Sequence, residues 1–157
     1  RCPHAIVFSG PKGVGKFLFA TKLSMGILNT DNFSHPDLHI IKKEDVVWSS
    51  NPTLQKRKQT NIPIDLIREK MVGGKTSDGS NHSSVVFKTS AKGGYKVFII
   101  DEAELLDEFS QNALLKTLEE PPEKTILILI TSRDDLLLPT VLSRCVVYSF
   151  GFLSDGI

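Results

Sequence analysis

The sequence predicts an α/β domain, a parallel β-sheet flanked by helices, on three observations. Apolar runs of strand length recur at residues 5–8, 97–100 and 126–130. Stretches with helical spacing lie between them. A glycine-rich segment, Gly10-Pro11-Lys12-Gly13-Val14-Gly15-Lys16-Phe17, follows the first run directly. Runs that are continuously apolar, rather than alternating, suit strands buried on both faces, the condition of a parallel sheet.

The elements follow in order. Residues 5–8 form the first strand, and the glycine-rich segment after it matches a phosphate-binding loop. In such a loop, inward-turned backbone N–H groups surround the phosphates, the lysine reaches the terminal ones, and a final Ser or Thr hydroxyl ligates Mg²⁺. The final position here is Phe17, which has no oxygen to give a metal. Candidate nucleotide-binding residues are therefore Gly10, Pro11, Lys12, Gly13, Val14, Gly15, Lys16 and Phe17, with Mg-ATP expected to bind weakly or not at all. A glycine-rich surface turn is the rival reading; the order strand, loop, helix counts against it. Residues 17–28 read as that helix, burying Leu18, Ala20, Leu23 and Ile27.

Residues 29–37, containing His35-Pro36-Asp37, read as a loop, and residues 38–41 as a strand. Ile64, Ile67 and Met71 recur at helical spacing over 64–71. Residues 72–94, rich in Gly, Ser, Lys and Thr and broken only by Val85-Val86-Phe87, predict a flexible inserted surface loop rather than a packed element. The buried strand 97–100 ends at Asp101-Glu102. Asp107 caps a helix that runs to about Glu120, where Pro121-Pro122 stops it. Residues 126–130 and 145–150 supply the last strands, so the domain covers residues 1–150.

An apolar strand ending in two acids is the second chemical constellation. In an ATPase of this architecture Asp101 would lie near Mg²⁺, as a ligand, and Glu102 near the attacking water, which it orients or deprotonates. Two acids there also suit a helix N-terminus through its dipole. The phosphate loop upstream favours the catalytic reading.

At 157 residues, with 40% hydrophobic and 24% charged residues, the chain has the size and composition of one globular domain. A net charge of +1 excludes a surface-wide field for nucleic acid. Lys56-Arg57-Lys58 reads as a solvated loop. No apolar stretch approaches the ~18 residues of a membrane span and no export signal is visible, so no membrane partner and a cytoplasmic location are expected. Cys2 and Cys145 lie far apart and outside any CxxC pair, arguing for free thiols over a disulfide framework or a zinc cluster. His35 and His39 lack further ligand partners and suit turn and surface roles. The chain opens at Arg1, entering a strand almost at once, and reads as a fragment.

Two later runs, Asn112-Ala113-Leu114-Leu115-Lys116-Thr117-Leu118-Glu119-Glu120-Pro121-Pro122 and Leu142-Ser143-Arg144-Cys145, resemble signatures of the clamp-loader branch of AAA+ proteins. Within that branch the chain is most similar to the bacterial DNA polymerase III delta-prime subunits. The resemblance spans about residues 3–150 and is weakest over 29–94. It implies a P-loop NTPase fold of the RecA-like AAA+ type and membership of a ring-like hetero-oligomer within the DNA polymerase III holoenzyme. That assembly contains ATP-hydrolysing subunits and places the sliding clamp on primed DNA. It also implies that Arg144 is an arginine finger acting in trans on a neighbour's ATP, and that Thr131 or Ser132 senses the terminal phosphate; either hydroxyl could equally just end a strand.

Further implications follow from where the chain departs from the family. Zinc is not expected, because the four-cysteine module of many members has no counterpart here. Phe17 fits the eroded loops of delta-prime subunits, so the chain's own ATPase activity is expected to be absent or weak. The alternative is a competent ATP-hydrolysing subunit of the gamma/tau type, with Lys16, Asp101 and Glu102 catalytic. A generic nucleotide switch would leave the 112–122 run unexplained. A helical lid and collar would follow, with residues 151–157 starting the connection to the lid.

Overall fold

The computed structural model describes residues 3–152. Five strands, β1 (Ala5–Ser9), β2 (Leu38–Ile41), β5 (Lys96–Ile100), β6 (Thr125–Thr131) and β7 (Val146–Ser149), form one sheet in the order β2-β5-β6-β1-β7. Every pairing in it is parallel. The predicted α/β class is therefore the observed one.

Alternation along each strand splits the core into two layers. Ala5, Val7, Phe98, Ile100, Leu127 and Leu129 face one cluster, while Ile6, Phe8, Val97, Ile99, Ile126, Ile128 and Ile130 face the other. The first layer is closed by Leu66 and Ile67 of α3 (Ile64–Ile67), Leu114 and Leu118 of α4 (Glu108–Glu119) and Val141 of α5 (Pro139–Leu142), with Leu54 of the short α2 (Pro52–Gln55). The second is closed by α1 (Lys16–Ile27). Caps fix the helix starts as the sequence requires: the Asp107 carboxylate accepts from the Ser110 N–H at 2.7 Å, and the Asn51 side chain accepts from the Thr53 N–H at 2.9 Å.

Three expectations need correction. Leu18, read as a core residue, is 56% exposed. The face α1 turns to the sheet carries Ala20, Thr21 and Ser24. Both hydroxyls donate one turn back, to the Phe17 and Ala20 carbonyls at 2.7 Å, so they enter the core already hydrogen-bonded.

Residues 72–94 are not an unpacked loop. They carry a hairpin of β3 (Gly74–Lys75) and β4 (Asn81–His82) and send Val86 into the core at 0% exposure. The Val85 and Val86 N–H groups donate to the Met71 carbonyl, at 2.9 and 3.1 Å. The buried Lys96 ammonium, at the start of β5, donates to the Val85, Val86 and Lys88 carbonyls. The Asp37 carboxylate accepts the Ala91 and Lys92 N–H groups.

His35 is likewise buried rather than on the surface, its Nδ1 accepting from the Asp37 N–H at 3.0 Å. His39 stacks on Phe98 with 4.6 Å between ring centroids. Cys145 is a free, partly buried thiol; Cys2 and residues 153–157, most of the stretch expected to lead to a lid, lie outside the described residues. No helix among the described residues is long and apolar enough to cross a membrane.

Candidate functional site

The C-terminal ends of β1, β5 and β6 open into a cleft of about 310 Å³. Parallel α/β sheets place ligands at this end, because the loops leaving adjacent strands converge there with the N-terminus of the following helix. Ser9 ends β1, and residues 10–15 turn the chain into α1. Gly15 caps α1 at φ 90°, a left-handed conformation open to glycine and costly for residues with a Cβ. Gly10 is needed for a different reason: a Cβ there would lie 2.3 Å from the Phe150 carbonyl oxygen.

Of the loop residues, Lys12, Gly13, Gly15, Lys16 and Phe17 line the cleft, while Gly10, Pro11 and Val14 shape the turn behind it. The Lys16 side chain is folded onto its own loop, its ammonium donating to the Gly10 and Pro11 carbonyls. Burial pulls Lys16 below the ordinary lysine range, while the Glu104 and Asp101 charges pull it up. An entering phosphate would meet an ammonium that must first leave these carbonyls.

The acids at the end of β5 line the opposite wall. Burial holds the Asp101 carboxyl above the usual carboxylate range, opposed by the Glu102 N–H that it accepts at 3.0 Å and by the Lys42 charge. Glu102 sits at φ 52°, left-handed for a non-glycine residue, which costs on the order of 1–3 kcal/mol and occurs mainly where function requires the placement. Its carboxylate accepts from Lys43 Nζ at 3.1 Å. Thr131 and Ser132 also line the cleft. Thr131 Oγ1 accepts from the Arg133 N–H at 3.0 Å, and Ser132 Oγ donates to Glu104 at 2.9 Å, leaving the other Glu104 oxygen buried without a partner.

Arg144 stands apart. It lies in the turn between α5 and β7, outside the residues that line the cleft, donating to the Thr140 carbonyl at 2.7 Å and paired with Glu119 at 2.9 Å. Lys42, Lys43, Glu104 and Glu119 are members of these arrangements that motif reading misses. The signal for the two lysines is positional, since they directly follow β2, at the same end of the sheet as the loop.

The arrangement fits a nucleotide's phosphates better than it fits Mg²⁺. Loop N–H groups, Lys16 and the start of α1 supply anion binding. On the metal side Phe17 offers a phenyl ring in place of an oxygen, the Lys42 ammonium lies 4.1 Å from that ring's centroid, and Glu102 is engaged by Lys43. Among the described residues no group of three or more His, Cys, Asp or Glu side chains is placed to hold a metal.

Fold and loop together define a P-loop domain of AAA+ type. The structure resembles that of a DNA polymerase III gamma subunit-related protein from Thermotoga maritima, with a TM-score of 0.61 at 22% identity over 98% of this chain and 42% of that one. Residues 1–153 match the family described as DNA polymerase III, delta subunit, and the chain belongs to that family. It is 34% identical to DNA polymerase III subunit tau of Escherichia coli (strain K12) over 94% of this chain and 22% of that protein. It is 29% identical to DNA polymerase III subunit delta' of Pseudomonas aeruginosa over 91% of this chain and 42% of that protein. The chain thus spans less than half the length of these relatives.

Proposed function

We propose that this chain is the P-loop domain of a delta-prime-like clamp-loader subunit in bacterial DNA replication. Its own ATP site is impaired, and Arg144 acts on ATP held by a neighbouring subunit. The observation that carries the reading is the pairing of Phe17, covered by the Lys42 ammonium, with an Arg144 placed away from the chain's own cleft. A guanidinium that does not line its own site supports a role across a subunit boundary, where its fork of N–H donors stabilises charge on the transferred phosphoryl group. The partners on this reading are the other loader subunits and, through the assembly, the sliding clamp and primed DNA.

The second reading, a competent gamma/tau-type ATPase, is favoured by one observation: Lys16, Asp101 and Glu102 do line one cleft. Hydrolysis by reconstituted full-length complexes separates the two. Arg144→Ala should lower hydrolysis at the neighbouring site by up to about 10³-fold, while Lys16→Ala in this subunit should leave total turnover unchanged. An Arg144→Ala complex that assembles, by sizing, and hydrolyses normally would falsify the trans role; a large loss from Lys16→Ala would establish the ATPase reading.

A further inference from the structure

Residue 17 is where a phosphate-binding loop presents its metal-ligating hydroxyl, and here that position carries a ring with a cation on its face: Lys42 Nζ lies 4.1 Å from the Phe17 centroid. Lys42 directly follows β2, at the same end of the sheet as the loop. One ammonium therefore covers the side chain at the position where a P-loop ATPase presents a metal-ligating hydroxyl. The next residue, Lys43, donates to Glu102 at 3.1 Å, so the second acid is engaged by a lysine of the same segment. Lys12 and Lys16 line the cleft from the loop itself, beside the N-terminus of a twelve-residue helix.

We infer that this cleft takes the polyphosphate of a nucleotide without a divalent metal, the Lys42 ammonium standing where the metal would be. This rests on the nucleotide reading of the cleft given above. An ammonium offers three donors and a single charge, enough to hold phosphate oxygens and too little to draw charge onto a leaving group as a metal does. With Glu102 held by Lys43, the bound nucleotide is a structural ligand and is not turned over.

The test is titration of the full-length protein with the fluorescent analogue mant-ATP, once in EDTA and once in excess Mg²⁺. The dissociation constants in the two buffers should agree within about threefold. Lys42→Ala should weaken binding in EDTA by at least about tenfold, the size of a lost charge-assisted hydrogen bond. Lys42→Arg should restore most of it, and Lys42→Met, which keeps the contact with Phe17 and loses the charge, should behave as Lys42→Ala. Phe17→Thr combined with Lys42→Ala should create a Mg²⁺ dependence the parent lacks. Binding that strengthens more than about tenfold when Mg²⁺ is added overturns both this inference and the impaired-site reading. No binding in either buffer overturns the inference and leaves that reading standing. Metal-independent binding that survives Lys42→Met also overturns it, by removing Lys42 from the site.

Discussion

Arg144 and Glu119 form an ion pair of 2.9 Å that ties the turn before β7 to the last residue of α4. The proposed finger is thus held within its own chain. Both side chains are substantially exposed, and such pairs contribute at most ~1 kcal/mol, so Glu119→Ala should change the free energy of unfolding by less than about 1 kcal/mol in denaturant melts. In reconstituted complexes the same substitution should not reduce hydrolysis at the neighbouring site, because it frees the guanidinium to cross the boundary. A loss as large as that of Arg144→Ala would mean that Glu119 positions the finger rather than parks it.

Val86 tests whether the 72–94 segment belongs to the core. Removing two buried methyl groups should cost roughly 1.5–3 kcal/mol in Val86→Ala. The neighbouring Phe87, 49% exposed, should lose less than about 1 kcal/mol on truncation. Urea unfolding of the two variants decides it: equal costs would make the segment dispensable to folding.

Burial pushes the Cys145 thiol up to about 11. In the unfolded chain a thiol titrates near 8.5, so between roughly pH 8.5 and 11 the folded state binds more protons than the unfolded one. Stability therefore falls as pH rises through that window, by at most ~3 kcal/mol and less because the thiol is only partly buried. Unfolding measured across it should show a shallower decline for Cys145→Ala. In a Cys2→Ser background, Cys145 should react with iodoacetamide more slowly than a free thiol at about pH 8.

Two glycines should respond in opposite directions to alanine. Gly10→Ala drives a Cβ against the Phe150 carbonyl, beside the Phe150 N–H that donates to Ser9 at 2.6 Å. It should cost about 1–3 kcal/mol and loosen β7. Gly26→Ala, in α1 with nothing within 4 Å of the new Cβ, should stabilise by about 0.5–1 kcal/mol. Thermal unfolding reads both signs.

The strands and the loop are legible in the sequence because each is written locally: continuous apolar runs for buried strands, and glycines at fixed offsets from Lys16. Val86 escapes that reading because one buried valine among Ser, Lys and Gly gives no period. Thr21 and Ser24 escape it because back-bonded hydroxyls enter a core that composition reserves for apolar residues. Within the site, Asp101 and Glu102 are legible from the strand they end, whereas the Lys42 contact with Phe17 joins residues 25 positions apart and needs the sheet to bring them together.

The strand order carries a consequence for synthesis. β1, first of the five strands in chain order, lies between β6 and β7, the last two of the five. Both of its edges wait for partners that emerge more than 110 residues later, and a ribosome adding ~5–20 residues per second leaves the run at 5–9 without its sheet for several seconds. That interval, and the loop closure it ends, make formation of the cleft a late folding event, so truncation upstream of β6 should yield a chain that engages chaperones rather than a smaller working domain.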